Sequence, residues 1–194
     1  MIPSSLFTVP IWDDQLPNHE EVNNELIPIL KKYKEDTPTV KQSNVNGYQS
    51  DKKLHTLVEL TALFEYINFQ INRAAASIGL EGQLAVNESW VNFNEDMACM
   101  NLQHIHGGVI SGTYYVQVPE GSGSIFLTNP SPISMWEGLS ICPERNHYAS
   151  ETIEVKPLEG TFIMWPSYLP HSVGPNTQNV ERISIAFNAS LIKE

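Results

Sequence analysis

The sequence predicts a mainly β fold, an antiparallel jelly roll backed by helices, and three observations predict it. After Gly82 the chain runs as short β-branched and aromatic segments broken by Gly, Pro and Asn clusters, the texture of a barrel or sandwich. Before it lie two stretches of helical periodicity. The length, 194 residues, fits one domain with a full core, in which 1–84 supply a strand and supporting helices and 85–194 the β core.

Each element has its own signal. Residues 5–12 (SLFTVPIW) read as a short edge strand, because Pro10 lacks the N–H that a central ladder needs. From Asn18 to Tyr33 the residues Val22, Leu26, Ile29, Leu30 and Tyr33 keep helical spacing, with Asn18 as cap, Glu20 and Glu21 in the first turn and Pro28 as a kink. Lys34 to Asp51 reads as a loop long enough to serve as a lid. A second helix is expected from Asp51 to Ile78, where Leu57, Leu60, Phe64, Ile67, Ile71, Ala74 and Ile78 form one stripe and Gly79 the stop. Strands are expected at 85–94, 100–106, 112–118, 124–127, 152–156, 161–164 and 182–188.

Composition narrows the function classes. Eleven Lys and Arg against 22 Asp and Glu leave a formal net charge of −11, a field that argues against nucleic acid as a direct partner. Mean hydropathy is −0.21, and no run of 18 apolar residues marks a membrane span. The opening residues lack the basic and apolar regions of an export signal, and Cys99 and Cys142 form no disulfide framework, so a cytoplasmic location is expected.

Three groups of residues carry candidate chemistry. His104 and His106 in LQHIHGG stand two apart, which on a strand puts both rings on one face, close enough for one ion of Fe, Zn, Cu or Ni. Two solvated strand histidines fit the same pattern. His171, between Pro170 and Pro175, is the candidate third ligand. In RISIAFN, alternation sets Ile183, Ile185 and Phe187 on one face and Arg182, Ser184, Ala186 and Asn188 on the other. An arginine inside a barrel needs a carboxylate, either an internal partner or a dicarboxylate ligand that its guanidinium fork matches. In SGTYYVQV, Tyr115 is the tyrosine placed to reach a polar cavity and Tyr114 the core residue.

Taken together, HxH, SGTYYVQVP, FIMWPSYLPHSVGPN and RISIAFN resemble the Fe(II)- and 2-oxoglutarate-dependent oxygenases on a double-stranded β-helix, a cupin-like jelly roll. The likeness covers residues 86–190. It is nearest a subgroup, also found in phages, with Asn-x-x-His-x-His followed by Ser-Gly-x-Tyr-Tyr. The resemblance implies that His104, His106 and His171 bind Fe(II), that Arg182 pairs with the distal carboxylate of 2-oxoglutarate, and that Ser184 and Tyr115 assist. Asn101 matches the subgroup as a residue just outside the ligands. Most of the superfamily has a carboxylate as second ligand, and Asp96 or Glu137 is the alternative to His106 here.

The implied activity is a dioxygenase that couples decarboxylation of 2-oxoglutarate to succinate with C–H oxidation of a small-molecule or peptide substrate, in a cytoplasm that is the host's if the chain is phage-encoded. Two rivals stand beside it: a three-histidine, cupin-like metalloenzyme that uses no 2-oxoglutarate, and a non-catalytic jelly-roll binding protein. Substrate choice is expected in the loops at 34–51 and 129–150. His55 and His147 read as structural, while Trp90, Trp136 and Trp165 could serve either a core or a substrate mouth.

Overall fold

The computed structural model describes residues 3–40, 42, 44–95, 100–142, 144–177 and 179–192. Asp96 and Cys99 lie outside the described residues, as does the side chain of Asn101. In chain order the elements are β1 (Trp12–Gln15), α1 (His19–Asp36), β2 (Asn44–Val45), β3 (Tyr48–Gln49), α2 (Thr61–Ser77), β4 (Leu84–Asn94), β5 (Met100–His104), β6 (Ile110–Gln117), β7 (Ile125–Thr128), β8 (Thr152–Val155), β9 (Thr161–Pro166), β10 (His171–Val173) and β11 (Arg182–Leu191). Six strands form one sheet in the order β1-β9-β6-β11-β4-β3, and five form the other in the order β2-β5-β10-β7-β8. All named pairings are antiparallel.

Alternation along the strands divides the core in two. Outward residues of the larger sheet, among them Val91, Phe93, Tyr114, Phe162, Ile183, Ile185 and Phe187, pack against Leu26 and Leu30 of α1 and Phe64, Ile67 and Ile71 of α2. Tyr114 anchors this contact by donating its hydroxyl to Asn23 Oδ1 of α1 at 2.7 Å. Burial of each such side chain contributes about 1.5–3 kcal/mol, so the helices are held by the sheet more than by their own propensity. Inward residues Tyr115, Ile163 and Trp165 meet Ile125, Leu127 and Leu169 in a second cluster between the sheets.

Several boundaries differ from those expected. The edge strand is 12–15, not 5–12, because β9 offers partners only to Trp12–Gln15. α1 runs on to Asp36, Pro28 is accommodated within it, and Asn18 starts it in the left-handed region (φ 54°) with no side-chain cap bond. The expected second helix begins with two 3-10 turns, 54–56 and 58–60, before α2, and Ile78 lies past its end and exposed. The stretch read as a lid contributes a strand to each sheet, β2 to β5 and β3 to β4. β10 was not expected as a strand; its three residues are held from both sides by β5 and β7.

Candidate active site

The register of the smaller sheet sets His171 of β10 directly opposite His104 at the end of β5. His106 lies beyond that end, so strand alternation does not place it, contrary to the expectation. Its position comes from its own N–H, which donates to the Ser167 carbonyl at 3.1 Å. The three rings nonetheless converge: centroids are 4.6 Å apart for His104 and His106, 4.3 Å for His104 and His171, and 5.1 Å for His106 and His171. One ring nitrogen from each lies within 4.8 Å of the others, the spacing of a group that could hold a single ion. Among the described residues searched, these three form the one cluster of this kind, and Glu137 is not part of it.

One short turn, 167–170, between β9 and β10 steadies two of the three histidines. Besides the Ser167 carbonyl, it presents the Leu169 carbonyl 3.0 Å from His171 Nδ1. A carbonyl only accepts, so Nδ1 carries the proton and Nε2 keeps its lone pair for a metal. Burial holds the His171 pKa down at about 4, the Leu169 bond opposing and His104 reinforcing the shift. For His106 burial is again the main cause, with His104 and His171 adding to it, and the value falls to about 3. Both imidazoles are therefore neutral at neutral pH, the form that binds metal.

The cavity in front of the triad measures about 490 Å³ including its open mouth, and its walls include Asn92, Tyr115, Arg182 and Ser184. Ser184 pairs with Tyr115 on one side and Asn92 on the other, which brings the three into one row across the sheet. Arg182, 2% exposed, donates to the Gly123 carbonyl at 2.6 Å and to Asn94 Oδ1 at 2.8 Å, and neither acceptor carries charge. Position 123 needs glycine because its backbone passes against that of Gly174: a Cβ there would stand 2.0 Å from the Gly174 oxygen. Burial raises the Tyr115 pKa to about 12 against the opposing pull of Arg182, leaving a neutral hydroxyl.

Trp90 and Trp165 also line the cavity, against the rings of His106 and His171 respectively. Their Nε1 atoms and Asn92 Oδ1 are buried with no hydrogen-bond partner among the described residues. Orphaned polar atoms are rare in native interiors, and their concentration here marks a site made for a polar ligand. The donor set fits Fe(II) with a bound dianion: an imidazole ligand brings no negative charge, so three of them would leave the ion's double charge intact, and Arg182 adds a further positive charge. Asn92 and Asn94 were not singled out from the sequence. The signal was their alternation with Val91 and Phe93 in WVNFN.

Trp136 takes no part in this cavity. It lines a separate open trough of about 1540 Å³ formed by residues 4–9 and 11 with the 127–153 region and Leu169; Leu127 and Leu169 also belong to the cluster between the sheets.

Residues 88–188 match the family model described as putative 2OG-Fe(II) oxygenase. The chain belongs to this family. It is an oxygenase that uses iron, 2-oxoglutarate and dioxygen, and the two rival readings fall away. No curated protein matches the chain. Among solved structures this 2OG-Fe(II) oxygenase resembles a prolyl-4-hydroxylase of Pseudomonas putida, with 13% identity, coverage of 96% of this chain and 94% of that one, and a TM-score of 0.63. The viral collagen prolyl hydroxylase of Paramecium bursaria Chlorella virus-1, solved with 2-oxoglutarate, gives 13%, 94%, 96% and 0.62. HygX of Streptomyces hygroscopicus, solved with nickel and 2-oxoglutarate, gives 11%, 95%, 84% and 0.61. At these identities the likeness establishes the fold, a jelly roll shared with 2-oxoglutarate oxygenases.

Proposed function

We propose that this oxygenase is a hydroxylase of one domain in which His104, His106 and His171 hold Fe(II) and Arg182, Ser184 and Tyr115 hold 2-oxoglutarate. The convergence of three imidazoles in the lining of a cavity that also contains a buried cation carries the reading. Bound Fe(II) would supply the reduction of dioxygen that protein side chains cannot perform. The residues do the rest: the triad leaves positions open, Arg182 and the neutral Tyr115 hydroxyl fix the dianion's orientation, and the apolar walls formed by Trp90, Ile125 and Trp165 limit water. One oxygen atom of dioxygen enters a substrate C–H bond and the other enters succinate, with release of carbon dioxide.

The substrate is a small molecule or peptide selected by the loop at 129–150, and the acidic field disfavours nucleic acid. No helix among the described residues is long and apolar enough to cross a membrane, and the setting we propose is the cytoplasm.

The test is succinate formation from 2-oxoglutarate when oxygen is admitted to the anaerobically iron-loaded protein, with and without candidate substrates. We expect iron-dependent succinate that His171→Ala abolishes. Failure of the iron-loaded protein both to bind 2-oxoglutarate and to produce succinate would overturn the reading.

A further inference from the structure

His106 stands off the ladder that aligns His104 with His171, and its N–H bond to the Ser167 carbonyl makes Ser167 the residue that fixes it. Ser167 is itself held twice, by its N–H on the Val109 carbonyl at 3.1 Å and by its hydroxyl, 2.8 Å from Ser111 Oγ. Ser111 Oγ is also 2.8 Å from Asn188 Oδ1. Asn188 Nδ2 in turn donates to Glu88 Oε2 at 3.0 Å, and Lys52 Nζ donates to the same carboxylate at 2.9–3.0 Å.

The proton directions follow from the groups. Asn188 Oδ1 only accepts, and Ser111 Oγ is the donor to both of its neighbours, so its single proton is shared between Asn188 Oδ1 and Ser167 Oγ. Asn188 Nδ2 and Lys52 Nζ both donate to the Glu88 anion, and bonds joined in such a network polarise one another. Ser111, Asn188 and Glu88 face one another in register across β6, β11 and β4, and Ser111, Asn188 and Ser167 are buried. The Trp90 ring adds to the packing here, its centroid 5.4 Å from that of His106 and 5.8 Å from Lys52 Nζ.

We propose that Glu88, Asn188, Ser111 and Ser167 form a positioning relay that holds His106 in the metal site, in place of the strand pairing that holds the other two ligands. The inference rests on His106 being a ligand, as proposed above. The four residues act through Ser167 and touch no metal themselves.

Co(II), whose visible spectrum reports ligand geometry, is the probe, read with thermal stability on the full chain. We expect Ser111→Ala and Asn188→Ala to weaken Co(II) binding about tenfold, the lower bound for residues that support a ligand. Their spectra should shift toward that of His106→Ala, and Ser111→Thr should restore both readouts. Glu88→Gln, a milder change at the half-exposed end, should shift the spectrum in the same sense. Ser50→Ala is the control: it removes a buried hydroxyl that accepts from the Val91 N–H at 3.1 Å and should lower stability with Co(II) affinity and spectrum unchanged. Relay variants that keep the parent affinity and spectrum, whatever their stability, overturn the proposal. A parent protein whose Co(II) binding survives His104→Ala and His106→Ala overturns the ligand assignment and the relay with it.

Discussion

Arg182 carries a full charge in the cavity wall while donating to two uncharged oxygens, and Gly123 and Asn94 hold its fork in place. A guanidinium so placed is matched by a ligand carboxylate through charge-assisted bonds worth about 1.5–3 kcal/mol, or a factor of roughly 10–150 in binding. Arg182→Ala should therefore raise the KM for 2-oxoglutarate at least about tenfold, in succinate assays with the cosubstrate varied, while metal affinity measured by calorimetry stays within about twofold. Parallel loss of both would make Arg182 a structural residue. The sequence already implied this position, because RISIAFN alternates cleanly and one face is polar. Gly123, whose carbonyl accepts from the side chain, was invisible in it, since a glycine's close approach to Gly174 depends on the packing of two distant turns.

Elements were legible to the extent that their periodicity was uninterrupted. α2 was expected from its stripe, and Ile67 and Ile71 are fully buried against the larger sheet. Ile71→Ala should cost about 2–5 kcal/mol and lower the melting temperature by roughly 5–20 °C, with Co(II) affinity of the folded protein unchanged. A loss of metal binding at temperatures where the variant is folded would show that the helix supports the site directly. The long strands β4, β6 and β11 were found within two or three residues at each end. The four-residue strands β7 and β8 were found within one residue, but β2, β3 and β10 were not, because they span only two or three residues and owe their conformation to partners rather than to propensity. The site was read in the same uneven way. His104, His106 and His171 come together as the resemblance implied, yet the reason offered for His106, alternation along β5, is replaced by a bond to the 167–170 turn.

At the scale of the molecule the buried imidazoles tie stability to acidity. In the metal-free protein His106 and His171 hold pKa values of about 3 and about 4, below the ordinary 6.5 of an unfolded chain. The unfolded state therefore binds protons that the folded state refuses, and the stabilisation present above about pH 6.5 is lost as pH falls toward 4. Thermal melts of the metal-free protein should drop by several degrees between pH 7 and 4, and His171→Gln should flatten that slope; an unchanged slope would mean that the imidazole is not buried neutral. The register that sets His104 against His171 also has a kinetic side. A nascent chain carries His104 and His106 as neighbours from the start, whereas His171 reaches them only after the long segment between β5 and β10 has closed and β10 has been seated between β5 and β7. Pairings between distant parts of a chain are slow to form. If the three imidazoles hold iron as proposed, a chain that binds the metal through all of them has already brought β10 between β5 and β7.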